Sequence, residues 1–267
     1  LPGYGPGAAV SLQVLGPVPE NVNNGRPALR WLSNLGKTKN GHSIVLRQTY
    51  GKVSFMLGGD LNIPAEDYLL AHYTREKVPP RSVEDEERLI EKARRVFASD
   101  FAKSCHHGSA DFSELFLKAV HAHATVISSG DDEPHAHPRA DTLGTIGKHS
   151  RGRRSLIFST ELSRSAKETI KNPDRFRQEI RDAGAALEAA RRAGDRRKIN
   201  AAVKKYEKVL ARIERSISVF GAINMRTDGD KVIFAYKIER PRGKSHQWDI
   251  YKFERNSAGD LFFASKH

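Results

Sequence analysis

Apolar residues along this chain change period several times, and each change marks an element. Val10, Leu12 and Val14 alternate with small or polar residues, which predicts a strand within residues 8–18 that stops at Gly16-Pro17. A loop or short helix follows. Residues 43–50 (SIVLRQTY) and 53–57 (VSFML) read as two strands joined at Gly51-Lys52, and the second runs straight into Gly58-Gly59-Asp60. The spacing turns helical over 64–73, where Pro64 suits a first turn, and again over 83–97, with Pro79-Pro80 between them. A strand over 99–104 then leads into Cys105-His106-His107-Gly108-Ser109. An amphipathic helix over 112–122, a strand over 125–128 and a loop from Gly130 to Pro138 complete this stretch. The order puts polar residues at strand ends, where α/β folds build their sites.

Beyond Arg164 the chain becomes alanine-rich and charged. Phe176, Ile180 and Leu187, then Ile199, Val203, Tyr206, Leu210 and Ile213, recur at helical spacing on either side of Ala193-Gly194-Asp195, which predicts a helical hairpin. The tail alternates again. Strands over 219–225 and 232–238 flank Asp228-Gly229, a strong hairpin signal, and strands over 248–253 and 261–263 follow, giving a small antiparallel meander. Three segments are therefore expected: an α/β portion over 1–163, the hairpin over 164–217 and a β extension over 218–267.

Composition narrows the class. Of the 267 residues 38% are hydrophobic, enough for a packed core, and no run approaches the roughly 20 apolar residues of a membrane span. The glycine- and proline-rich start has no charged leader or apolar signal core. A single cysteine, Cys105, excludes an intrachain disulfide framework, so a soluble protein of the reducing cytoplasm is the simplest expectation. The net charge of +13 favours a polyanionic partner such as DNA or RNA. Residues 164–215 concentrate it, with 16 Lys or Arg against 8 Asp or Glu. Candidate phosphate contacts there are Arg191, Arg192, Arg196, Arg197, Lys198, Lys204 and Lys205, although a solvated helical pair accounts for the same composition without a ligand. Trp248, Tyr236 and Phe262 are available to stack on bases or to pack within the meander.

Four places carry candidate chemistry. Asp60 follows an apolar strand and two glycines, so it reads either as a metal ligand or as a turn aspartate. His106-His107-Gly108-Ser109 lies between strand and helix, where an imidazole can face a cleft or serve as a hydrogen-bonded structural group. His135 and His137 sit in the loop DEPHAHP, placed for metal binding or simply for solvent. His42 opens a strand and means little alone.

Together the segments NGHSIVLRQTYGKVSFMLGGDLN (40–62), SCHHGSADFSELFLKAV (104–120) and ATVISSGDDEPHAHP (124–138) resemble the second half of a metallo-β-lactamase-fold domain, in the branch of the ComEC-like DNA-uptake proteins. The shared features are an Asn-x-x-Ser strand start, a Leu-x-Gly-Asp strand end, a His-His-Gly-Ser turn and a terminal His-Pro loop. The resemblance covers residues 8–160. It implies half of an αββα sandwich, followed here by the hairpin and the meander. It also implies a hydrolase using two divalent ions, zinc or manganese, with Asp60 bridging them, His106 or His107 as a further ligand, His42 as a possible one, and Asp60, His107 and His137 at the reacting group. Such a centre activates a bridging water and clamps a phosphodiester. The expected activity is that of a nuclease, with DNA favoured over RNA. The alternatives are a phosphodiesterase for a small or lipid-like ester and a catalytically degenerate nucleic-acid-binding module.

One departure from the family is large. Its first metal motif, His-x-His-x-Asp-His, is absent, and His121-Ala122-His123 lacks the Asp and the last His. The resemblance therefore implies that the missing ligands come from an N-terminal half carried as a separate or processed chain. A regulatory protein or protease would then be a further partner.

Overall fold

The computed structural model describes residues 3–5, 7–22, 25–130, 135–152, 154–160, 173–217, 222–237 and 247–267. Within them the chain is mixed α/β and divides into two compact units. One comprises residues 1–161, 223–235 and 250–267; the other comprises 162–222 and 236–249.

The first unit is built on a mixed six-stranded sheet. Strand β1 (Val10–Gly16) pairs antiparallel with β4 (Val45–Tyr50), which pairs antiparallel with β5 (Val53–Leu57). From β5 onward the sheet is parallel, through β6 (Phe101–Lys103), β7 (Ala124–Ile127) and β8 (Leu156–Ser159). The short pair β2 (Glu20–Val22) and β3 (Arg26–Ala28) stands apart from this sheet. Parallel neighbours require crossovers, and helices supply them. Helices α2 (Ile63–Thr74) and α3 (Val83–Phe97) lie between β5 and β6, α4 (Glu114–Val120) between β6 and β7, and α5 (Ala140–His149) between β7 and β8. The Asn62 side chain caps α2 by accepting from Ala65 N, and Ser82 caps α3 ahead of Glu84, Asp85 and Glu86, whose charges suit a helix N-terminus. Helix α1 (Leu35–Gly41) precedes β4.

Alternation along each strand decides which layer it faces. Met56 and Ala102 join Leu69, Leu70, Leu89, Phe97 and Phe116 of α2, α3 and α4 in one core. Each large side chain buried there contributes about 1.5–3 kcal/mol. Phe101 and Phe158 point the other way, onto a second sheet, and meet Phe234 with ring centroids 5.0 and 4.7 Å apart. That sheet is an antiparallel meander of β9 (Ile223–Thr227), β10 (Val232–Lys237), β11 (Trp248–Arg255) and β12 (Leu261–Lys266), in the order β12-β11-β10-β9. Most of the predicted extension over 218–267 is thus a layer of the first unit, because Phe234 and Phe253 complete its core. The hairpin turns of the two sheets are joined. Gly51 has φ +56°, Lys52 N donates to the Gly229 carbonyl at 2.7 Å, and a Cβ on Gly51 would stand 2.5 Å from that oxygen.

In the second unit, α6 (Pro173–Arg192) and α7 (Arg196–Ile217) form the expected hairpin around Gly194. Phe176, Ala183, Leu187 and Ala190 of α6 are buried, and Tyr206 of α7 lies against Gly184. No helix among the described residues is long and apolar enough to cross a membrane.

Candidate functional site

The C-terminal ends of β5, β6 and β7 bring the quoted motifs together. Beyond β5 the chain turns at Gly58 and Gly59, presents Asp60 and enters α2 at Ile63, three residues later. Glycine is required twice. A Cβ on Gly58 would stand 2.4 Å from Cys105 Sγ, and one on Gly59 (φ +60°) would stand 2.5 Å from Ser43 Cβ. Ser43 Oγ accepts from Asp60 N at 2.9 Å, and His106 N donates to the Gly59 carbonyl at 3.0 Å. Lys103 Nζ donates to the Gly59 and Ser104 carbonyls at 3.4 and 3.1 Å, which brings a cation close to Asp60.

After β6 the chain makes a tight 3-10 turn in which His106, His107 and Gly108 have φ of 45°, 54° and 80°. Two successive non-glycine residues in the left-handed region are uncommon, and such conformations cost of order 1 kcal/mol or more each. The turn sends the two imidazoles to different places. His107 Nε2 lies 3.5 Å from Asp60 Oδ1, with side-chain exposures of 44% and 39%, so the pair is open to a reactant. Its Nδ1 is 2.6 Å from the Ser128 carbonyl, which only accepts, so Nδ1 carries the proton. In a neutral ring, Nε2 then turns a lone pair towards a carboxylate oxygen. Two acceptors facing each other need a proton or a cation between them.

His106 belongs to a second pair. Its Nε2 is 3.3 Å from Asn40 Nδ2, a donor, and its buried Nδ1 has no hydrogen-bond partner among the described residues. The His106 and His137 rings are 5.6 Å apart, and the His137 and His135 rings 5.8 Å. Pro138 packs against the turn so closely that a Cβ on Gly108 would come within 2.8 Å of it, and Arg139 N donates to the Gly108 carbonyl at 2.8 Å. Residues Asp131, Asp132, Glu133 and Pro134 of the loop from Gly130 to Pro138 lie outside the described residues.

The expected ligands therefore separate. Asp60 meets His107, while His106 meets Asn40 and His137. His42 joins neither pair, because its Nε2 lies 2.8 Å from the Arg30 carbonyl. Among the described residues no group of three or more His, Cys, Asp or Glu side chains stands together as a metal site. The donor chemistry of the closest pair nevertheless fits a cation. Two ligand atoms each about 2.1 Å from a tetrahedral ion stand about 3.4 Å apart, close to the observed 3.5 Å. The Ser128 carbonyl fixes the imidazole tautomer, as the outer partners of metal-bound histidines do.

Sequence reasoning assigned no role to Glu66 and Cys105, which support the turn from behind. Glu66 is fully buried, accepts from Ser113 N at 2.5 Å and lies against the Cys105 thiol. Burial pushes its carboxyl up to about 8. Burial and the Glu66 carboxylate likewise raise the Cys105 thiol. Asn40 and Ser43 belong to the quoted motif but were given no task; they orient His106 and Asp60.

The basic candidates of the hairpin are all exposed. Arg191 pairs with Glu188 at 3.1 Å and Lys198 with Asp195 at 3.5 Å. Arg197, Lys204 and Lys205 lie on the outer side of α7, whereas Arg192 ends α6 and Arg196 begins α7. Of the aromatic candidates, Trp248 and Phe262 are 42% and 43% exposed, while Tyr236 donates its hydroxyl to Asp249 at 2.9 Å. No family model matches the chain, and no curated protein matches it.

Proposed function

We propose that this chain supplies some of the ligands in the centre of a metal-dependent phosphodiesterase, a nuclease that acts on DNA, on the second half of a metallo-β-lactamase-type sandwich. The observation that carries this reading is the Asp60–His107 pair, with His107 Nε2 held 3.5 Å from the Asp60 carboxylate by a left-handed turn at the histidine. A divalent ion bound there would lower the pKa of a coordinated water and neutralise charge on a phosphodiester oxygen. The chain's own residues do the rest. Ser43 and the Ser128 carbonyl orient the two ligands, Lys103 places positive charge beside an incoming phosphate, and His137 stands next to His106 for proton transfer. A dinuclear centre needs more than this pair, so the further ligands belong to residues beyond those described, such as an N-terminal half of the domain.

The test is cleavage of single- and double-stranded DNA by the whole protein with manganese or zinc. Asp60→Ala and His107→Ala are each expected to lose at least about 100-fold in rate, in line with the loss of a catalytic metal ligand. Cleavage at the parental rate by either variant refutes the assignment. Preferential hydrolysis of a small phosphodiester over DNA would move the substrate class while leaving the centre intact.

A further inference from the structure

We infer that the outward face of α7 is a binding surface for the phosphate backbone of a nucleic acid, independent of the Asp60–His107 pair. At 100° per residue, Arg197, Lys204 and Lys208 fall within an arc of about 40°, with Lys205 flanking it. All four are exposed, while Ile199, Val203, Tyr206 and Leu210 occupy the opposite side and are part-buried. The three central cations lie along the helix axis at intervals of about 10 and 6 Å, from a rise of about 1.5 Å per residue.

The two helices of the hairpin treat their charge differently. On α6, Arg175 pairs with Glu179, Arg181 hydrogen-bonds Gln178, and Arg191 pairs with Glu188, so three of its five cations meet partners on their own helix. Helix α7 has eight Lys or Arg against only Glu207 and Glu214, and no acidic residue in its first turn. Arg196, Arg197 and Lys198 open it, where cations oppose the helix dipole by some tenths of a kcal/mol each. Asp195 offsets part of this, accepting from Arg197 N and Lys198 N and pairing with Lys198, so the cations that the inference rests on are Arg197, Lys204 and Lys208, whose side chains have no acidic partner among the described residues.

The surface also selects among polyanions. An anionic membrane takes up an amphipathic helix by burying apolar side chains beneath its cations. The apolar side of α7 is turned to the hairpin interior, where Tyr206 lies against Gly184, and its exposed side from Arg197 to Lys208 carries only charged or small residues and Asn200. A line of cations without exposed apolar groups suits the extended charge of a nucleic acid backbone. The inference deepens the proposed activity by naming a polymeric substrate, and rests on that reading only for the cleavage step.

The experiment measures binding of the whole chain to a fluorescent 30-base-pair duplex and the matching single strand, in EDTA, across a series of salt concentrations. The Arg197→Gln/Lys204→Gln/Lys208→Gln variant is expected to lose at least about tenfold in affinity near 0.1 M salt, and its log–log salt slope on the duplex to fall by about 3. The charge-preserving variant Arg197→Lys/Lys204→Arg/Lys208→Arg should keep the parental slope, and Arg175→Gln/Arg181→Gln/Arg191→Gln on α6 should change it by less than one. An unchanged slope in the α7 variant overturns the inference. So does parental binding to phosphatidylglycerol vesicles or polyglutamate that matches or exceeds binding to DNA. Because EDTA removes metal, loss of binding in the α7 variant and loss of cleavage in Asp60→Ala are separate outcomes.

Discussion

Glu66→Gln should make the protein more stable at alkaline pH and flatten its pH profile. The carboxyl is sealed behind the His106-His107 turn, and burial raises it from 4.5 to about 8. The sign follows from proton linkage. Between 4.5 and 8 the unfolded chain ionises Glu66 while the folded chain keeps it protonated, so stability is full below pH 4.5 and is lost as pH rises through 8. At about 1.4 kcal/mol per unit, the interval from pH 6.5 to 8.0 accounts for about 2 kcal/mol. Glutamine reproduces the protonated acid: its carbonyl can accept from Ser113 N, and its amide faces the Cys105 thiol. The assay is urea unfolding of both proteins at pH 6.5 and 8.0, followed by tryptophan fluorescence and far-ultraviolet circular dichroism. The parent should lose about 2 kcal/mol over that interval through this group, and the variant should not. Equal pH slopes for the two proteins, or a variant less stable than the parent at pH 8.0, would show that the Glu66 carboxyl is not held protonated in the folded chain.

Other expectations follow from the same structure. Burial beside Arg151 lowers the His123 imidazole from 6.5 to about 4, so its contribution is present above pH 6.5 and lost as pH falls towards 4, and His123→Gln should unfold at lower pH than the parent in an acid titration. Phe234→Ala removes a fully buried ring shared by two sheets and should cost about 3–5 kcal/mol in chemical denaturation. Gly51→Ala forces a Cβ against the Gly229 carbonyl at positive φ and should cost at least about 1 kcal/mol, whereas Lys52→Ala should stay within about 0.5 kcal/mol in the same measurement.

Much of the fold was legible because period alone identifies a strand or a long helix. The β4–β5 hairpin, α2, α3, the helical hairpin and the meander were all expected from it. Helix α5 was missed: it contains Gly144 and Gly147, and only Thr142 and Ile146 are buried, too sparse a stripe to register. Strand β8 was missed as well: its four residues, LIFS, show no alternation of apolar and polar positions. The helix expected over 112–122 is shorter, spanning Glu114–Val120, and His121 (φ +46°) ends it.

At the site, the strand-end position made Asp60 and the histidine turn visible as candidates. That His107 faces Asp60 while His106 faces Asn40 and His137 was hidden, since it depends on two left-handed residues rather than on spacing. Glu66 reads in sequence as an ordinary first-turn acid of a helix; only the packing of α2 against the turn and α4 shows it to be buried. His42 lies at the right place in the motif but turns to the Arg30 carbonyl.

The proposed function requires that a divalent cation, rather than a proton, resolve the contact between His107 Nε2 and Asp60. Nitrogen NMR of the protein labelled at histidine, with zinc added stepwise at neutral pH, observes that atom directly. Zinc should move the Nε2 resonance of His107 to a metal-bound position while Nδ1 stays protonated, and Asp60→Asn should weaken the response at least tenfold. A His107 ring unmoved by zinc, or moved equally with and without the Asp60 carboxylate, would contradict the proposed function.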